Sequence, residues 1–533
     1  MSSGGQFPPL DTNAPLEIAR RFIADNFAHL DGRKLHFWRG DFYRWGANHF
    51  RVMPSDAIRA LLYSWLEKTN KPTKRLVDNT LDALRAAAYL DAKPPCWLID
   101  PSIEGEFIAC ANGLLHVATR ELLPPTPGYF NLNALDFGYD FSATRPAAWL
   151  QFLGSLWADD QETAAALQEL FGLMVSADTS QQKIALMIGP KRSGKGTIAR
   201  VLRAVVGNDN TTAPTLAGLG QNFGLAGLVG KPLAIVSDAR ISGRSDLAAV
   251  TENLLRISGQ DAVSVPRKFQ PDWVGQLPTR FLLLTNELPA LTDVSGALAS
   301  RFLILPMTRS FYGHEDTSLT DKLLAELPAI FTWALEGLDR LRQRGNLLQP
   351  AAGVAIVEQL DRLASPIKAF VADCCAVEPG AEIACADLFA AWQSWCNDQH
   401  RDHPGTLPML SRNLHAAFPQ TATRQPRRGG DRVRVFAGIR LRRLGEEPEK
   451  AAGTLWNAFQ TIARVSESHS SERRNSPERV PTRASESDPV EAAARQAGIS
   501  EDLLRASLSP ADLADPELMQ LARLTKYAQG LRP

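Results

Sequence analysis

The run Gly189-Pro-Lys-Arg-Ser-Gly194-Lys195-Gly196-Thr197 combines the residue types that hold phosphate. Glycines at 189 and 194 permit a tight turn and bring backbone N–H groups close to an anion, and Lys195 supplies a charge that reaches β- and γ-phosphates. The setting adds weight. The apolar run Lys183-Ile-Ala-Leu-Met-Ile-Gly189 precedes the loop and residues 198–206 read as a helix. A strand therefore delivers the loop to a helix N-terminus, where the backbone dipoles favour negative charge. The candidate nucleotide ligands are Gly189, Pro190, Lys191, Arg192, Ser193, Gly194, Lys195, Gly196 and Thr197. Gly196 stands where a Ser or Thr hydroxyl usually touches Mg²⁺, and Thr197 follows one position later, placed to cover an α-phosphate.

Magnesium then needs a carboxylate from a neighbouring strand. Lys231-Pro-Leu-Ala-Ile-Val-Ser-Asp238 is an apolar strand that ends in one, so Asp238 is the candidate for holding Mg²⁺ through water and polarising an attacking water. A pair of acids would be more usual, and Ser237 and Ala239 flank a single one. A third apolar strand, Arg280-Phe-Leu-Leu-Leu-Thr-Asn286, ends in an amide that can orient the water against a γ-phosphate. Plainer alternatives exist for both: a surface Asp closing a core strand, and an Asn in a turn.

Three units are needed to position these residues. Residues 15–145 read as mixed α/β, beginning with a helix over 16–27. A β-hairpin follows over 34–45, with Gly40-Asp41 at its turn. Its aromatics Phe37, Trp38, Phe42, Tyr43 and Trp45 either stack on bases or, as such clusters more often do, pack a small sheet onto helices. Two helical stretches follow over 53–90, then a strand over 107–115. Residues 146–345 begin with helices and continue as alternating strands and helices, the pattern of a parallel-sheet domain. Residues 366–445 read as helix, helix and β-like periods, compatible with a winged helix. Residues 446–490, rich in Ser, Arg, Glu and Pro, are expected to be a disordered linker, with short helices over 491–533. The first 14 residues are expected to be flexible.

The third unit concentrates positive charge. Between 401 and 443 stand ten Arg against Asp402 and Asp431, a net of +8. Arg424-Gln-Pro-Arg427-Arg428-Gly-Gly-Asp-Arg432-Val-Arg434 reads as a basic β-wing turned at Gly429-Gly430, suited to DNA-backbone contact.

The whole chain hides this patch, because its 58 Lys+Arg equal its 58 Asp+Glu. That balance excludes a uniformly basic binder, and 44% hydrophobic content excludes wholesale disorder. At about 150 residues per domain, 533 residues suggest roughly three domains. The six cysteines form no CxxC pair and no zinc-finger spacing, which reads as reduced thiols. The N-terminus has no apolar secretory segment and no run approaches 18 apolar residues, so a cytoplasmic protein without membrane contact is expected.

Together these segments resemble the superfamily 3 helicases, specifically the C-terminal ATPase of phage and plasmid primase-helicases and their poxvirus relatives. The resemblance covers roughly residues 15–445. Upstream it is carried by Asn112-Gly-Leu-Leu-His116, Tyr129-Phe130 and Leu167-Gln-Glu-Leu-Phe-Gly172. Downstream it is carried by Ile257-Ser-Gly-Gln-Asp261, Pro266-Arg-Lys268-Phe, Thr285-Asn-Glu-Leu-Pro289, Asp293-Val-Ser-Gly-Ala-Leu298, Ser300-Arg301-Phe302, Phe311-Tyr-Gly-His-Glu-Asp316 and Trp333-Ala-Leu-Glu-Gly-Leu338.

The resemblance implies an AAA+-type ATPase core between an N-terminal accessory domain and a winged-helix-like domain. It implies ATP and Mg²⁺ as cofactors and a homo-oligomeric ring, commonly a hexamer, on single-stranded or forked DNA. Lys195, Asp238 and Asn286 would act from one subunit and Arg301 in trans as an arginine finger, a role for which Arg309 competes. Arg267, Lys268 and Phe269 match the family's DNA-contacting hairpin, and Arg427, Arg428, Arg432 and Arg434 would add contacts from the wing. No primase motif is found, so a separate primase or initiator would be a partner. The string Gly194-Lys-Gly-Thr197 also occurs in nucleotide kinases, and an ATP-switched DNA-binding adaptor is a third reading.

Overall fold

The computed structural model describes residues 11–443 and Glu446, apart from 69, 70, 101, 144, 240–245, 269, 290–296, 400–403, 429 and 430. The linker and terminal helices expected beyond 446 lie outside the described residues, as do Phe269 and the Gly429-Gly430 turn.

The chain is mixed α/β, and its centre is a five-stranded parallel sheet: β1 (Ile184–Ile188), β2 (Thr211–Thr212), β3 (Leu233–Val236), β4 (Arg280–Thr285) and β5 (Phe302–Pro306), in the order 2-3-4-1-5. Every residue of β1, β3, β4 and β5 is buried, which explains why these strands read as unbroken apolar runs: a parallel sheet is covered on both faces. Successive side chains alternate between two cores. Ala185, Met187, Leu233, Ile235, Leu282 and Leu284 join one, with helices Ala147–Leu156, Gln161–Val175, Lys195–Val206 and Leu327–Arg344. Ile184, Leu186, Ile188, Ala234, Val236, Phe281 and Leu283 join the other, with helix Leu247–Ser258 and the base of an antiparallel hairpin, Ala262–Arg267 with Gln270–Gln276.

Helices 161–175 and 327–344 approach closely because glycines face each other's backbone. A Cβ on Gly172 would fall 2.4 Å from the Ala334 carbonyl oxygen, and one on Gly337 would fall 2.5 Å from that of Gln168. Glu169, 3% exposed between them, is held by Arg340 and Arg344.

The N-terminal unit packs helices Pro15–Phe27, Ser55–Leu66 and Lys74–Ala87 on a three-stranded antiparallel sheet, Leu35–Trp38, Asp41–Trp45 and Phe50–Met53. The expected hairpin forms with its turn one residue earlier. Arg39 and Gly40 take the two positive-φ positions (47° and 89°), so Asp41 opens the second strand opposite Trp38. Trp38, Phe42 and Tyr43 are buried, so these rings serve packing. The single strand expected over 107–115 is a hairpin, Phe107–Cys110 with Gly113–His116, because Ala111 and Asn112 form a two-residue turn that sets Gly113 opposite Cys110.

The C-terminal unit has three helices, Pro366–Cys374, Cys385–Asp398 and Leu407–Ala417, where the sequence suggested two. They cover a three-stranded antiparallel sheet of Glu382–Ala384, Val435–Ala437 and Ala422–Arg424.

Candidate nucleotide site and nucleic-acid interface

The strand order brings three separate sequence signals to one edge. Because β4 lies between β1 and β3, its end at Thr285-Asn286 is flanked by Gly189 on one side and by Ser237-Asp238 on the other. The backbone continues this row past the strands: Gly189 donates its N–H to the Thr285 carbonyl (3.3 Å) and Ala239 donates to that of Leu284 (3.0 Å). Asp238 is exposed at the edge and Asn286 half-buried.

The loop is shaped for an anion. Gly194, at φ +91°, is the N-cap of helix Lys195–Val206, a conformation that favours glycine. Gly189 is required by crowding: a Cβ there would lie 2.2 Å from the Met307 carbonyl oxygen. Gly196 is under no such constraint, since its Cβ would meet only Arg200 Nη1, at 3.6 Å. Lys195 is 9% exposed and folds back on its own loop. It donates to the carbonyls of Gly189 (2.8 Å) and Pro190 (2.7 Å) and to Ser193 Oγ (3.0 Å). Burial lowers its ammonium to about 8. A phosphate would replace neutral acceptors with a charged one, so the residues present fit a nucleoside polyphosphate. Thr197 Oγ1 accepts from Arg200 Nη2 (3.2 Å).

A segment beyond β5 straps this loop, a contact with no signal in the sequence. Ser310 Oγ donates to the Lys191 carbonyl (2.8 Å), Phe311 N–H to that of Arg192 (2.9 Å), and Arg192 pairs with Glu315 (3.3 Å).

The two candidate arginine fingers sit at opposite ends of β5. Arg309 follows its C-terminal end, on the loop edge, and donates to the Ser155 carbonyl (2.9 Å). Arg301 precedes its N-terminal end, the far edge of the sheet, and donates to the Leu255 carbonyl (2.7 Å) and Ser258 Oγ (2.9 Å). Five strand residues, about 17 Å at 3.3 Å each, separate it from the loop edge of its own chain.

The hairpin Ala262–Gln276 carries its basic residues in two different environments. Lys268 is exposed, with Nζ 5.8 Å above the ring of Phe223, itself 46% exposed. No motif marks Phe223 in the sequence; its local signal is its glycine-rich surroundings (Gly218, Gly220, Gly224). Arg267, by contrast, is only 15% exposed and pairs with Asp41 of the N-terminal hairpin at 2.7 Å. In the C-terminal unit Arg427–Arg428 pairs with Asp431–Arg432 as the expected hairpin, and Arg427, Arg432 and Arg434 are exposed. Within the +8 stretch, Arg440 is neutralised by acids outside it, Glu378 and Glu446, and Arg442 is tied down by the Cys375 and Ala372 carbonyls. No helix among the described residues is long and apolar enough to cross a membrane.

Two solved structures similar to this chain are of the NrS-1 C-terminal region in apo form, at 13% and 12% identity and TM-scores of 0.45 and 0.44. In each case the match covers 80% of this chain and 99% of the other. Residues 187–301, from the loop strand to Arg301, match a family of unknown function, DUF5906. Residues 17–158 match the family described as D5 N terminal like, and the Asn112–His116 and Tyr129-Phe130 motifs lie inside that stretch.

Proposed function

We propose that this chain is an ATP-driven helicase of the superfamily 3 type that translocates on single-stranded DNA in the replication of a phage, prophage or plasmid. The observation that carries the reading is the row of strand ends, with Gly189–Lys195, Asn286 and Asp238 side by side on one sheet edge. The D5 N terminal like stretch upstream supports it. So does the 2-3-4-1-5 order, which fits an AAA+-type core by interposing the Asn-bearing strand between loop and acid.

ATP would be held by backbone N–H groups of residues 189–197 and by Lys195, and Mg²⁺ by Asp238 through water. When bound, the metal neutralises charge on the phosphates and leaves the γ-phosphoryl group open to water. The chain's own contributions are separable. Lys195 exchanges its loop carbonyls for phosphate oxygens, Asn286 orients the water and Asp238 polarises it. Arg301 lies on the edge away from its own loop, a position that suits action on a neighbour's nucleotide in a ring. Lys268 and Phe223 offer a cation and a ring to a DNA strand, and the C-terminal unit, in the manner of a winged helix, adds Arg427, Arg428, Arg432 and Arg434. A separate primase or replication initiator would complete the apparatus.

The test is strand displacement on forked DNA. Wild type is expected to unwind only with ATP, and Lys195→Ala to retain DNA binding but not unwinding. Absent unwinding with DNA-stimulated ATPase intact would replace the motor by an ATP-switched adaptor. Phosphoryl transfer to a nucleotide acceptor would replace it by a kinase.

A further inference from the structure

The turn of the N-terminal hairpin and the hairpin Ala262–Gln276 are far apart in sequence and clasp each other side chain by side chain. Arg267 Nη1 donates to Asp41 Oδ2 at 2.7 Å, while its Nε donates to the Pro271 carbonyl at 3.1 Å. Arg39 reciprocates from the other strand end, donating to the Val274 carbonyl at 2.7 Å. Its guanidinium lies between two indoles, 5.0 Å from the Trp38 centroid and 5.1 Å from that of Trp273. Lys93 Nζ reaches Gln276 Oε1 at 3.3 Å. The fit depends on glycine: a Cβ on Gly275 would meet Arg39 Nη1 at 1.8 Å.

The chemistry of this clasp is that of a phosphate contact made with a carboxylate. Arginine donates to carboxylate and phosphate oxygens with the same geometry and charge. Side-chain exposures of 15% for Arg267 and 21% for Asp41 leave little room for another anion beside the pair. Lys268, the next residue, is exposed, with its Nζ over the Phe223 ring. The hairpin therefore presents one of its two adjacent cations and withholds the other.

We propose that Asp41 is an internal competitor of nucleic-acid phosphate: it occupies Arg267, latches the hairpin to the N-terminal unit, and is displaced when a DNA strand engages the hairpin. This rests on the reading of that hairpin as a DNA-binding element. The latch makes full engagement a two-step event. A strand first meets Lys268 and Phe223, and then exchanges its phosphate for Asp41, freeing the hairpin from the N-terminal unit.

Anisotropy of a labelled oligo-dT strand, measured with the full chain, tests this with four proteins: wild type, Asp41→Asn, Arg267→Ala and the double variant. Asp41→Asn is expected to tighten binding about three- to tenfold, the order of a partly exposed ion pair no longer opposing the exchange. Arg267→Ala should weaken binding, and the double variant should match Arg267→Ala, because Asp41 acts only through Arg267. Weakening by Arg267→Ala without tightening by Asp41→Asn overturns the latch and leaves the DNA-binding hairpin standing. Equal tightening by Asp41→Asn in both backgrounds also overturns it, since the gain would then be general charge. If Arg267→Ala changes nothing, the role of Arg267 in DNA binding falls and the latch with it. Thermal unfolding of each variant guards against misfolding, which cannot mimic a gain in affinity.

Discussion

Lys195 shows how one side chain can be both buried and ready. Its three acceptors are neutral, so burial is not offset by an opposite charge and its ammonium falls to about 8. A bound polyphosphate favours the charged form, so binding takes up a proton above that value. The sign follows: nucleotide affinity should be flat up to about pH 7.5 and then fall, by at most tenfold per pH unit, once free Lys195 loses its proton. Equilibrium titration with a fluorescent ATP analogue across pH 6.5–9.5 checks this, with Lys195→Arg as the control that stays charged and should show no such break. The same scale separates Gly189 from Gly196. The first has no room for a side chain and the second does, so the missing magnesium hydroxyl at 196 is not imposed by packing.

Elements place these residues through contacts that glycine makes possible. Helices 161–175 and 327–344 form the floor under the loop helix, and Gly172 and Gly337 let their backbones touch. Gly337→Ala should cost about 1–3 kcal/mol through overpacking against the Gln168 carbonyl. Gly154→Ala, with nothing within 4 Å of its Cβ in helix 147–156, should be neutral or stabilising by up to about 1 kcal/mol. Denaturant unfolding of the two variants side by side makes the comparison. The hairpins belong to this scale as well. In the N-terminal one, Arg39-Gly40 at the turn positions Arg39 for the Trp273 ring and Asp41 for Arg267.

At the scale of the whole molecule, the far-edge position of Arg301 separates two arrangements of the active site. If Arg301 completes a neighbour's site, Arg301→Ala should bind ATP normally and lose turnover by about 10³–10⁵. Mixing it with Lys195→Ala should restore ATPase, because some interfaces then combine an intact Lys195 with an intact Arg301. ATPase assays on the mixture check this; failure to recover while both variants still assemble would return the role to Arg309, which shares the loop's edge.

Much of this protein is written locally. The glycine-rich loop, the apolar strands, the acid and amide at their ends and the basic wing are each short segments whose chemistry depends on near neighbours. Strand β1 and helix 195–206 therefore emerge close to where periodicity places them. Local patterns also set the limits of that reading. They placed the N-terminal turn one residue late and merged the 107–116 hairpin into one strand, because alternation alone does not mark where a chain reverses. Adjacency, by contrast, comes from long-range packing. That β4 lies between β1 and β3, that residues 310–315 strap the loop, that Arg301 and Arg309 face opposite edges, and that Asp41 meets Arg267 all depend on contacts between segments distant in sequence. Such contacts arise from burying shared apolar faces, and the faces alone do not name their partners.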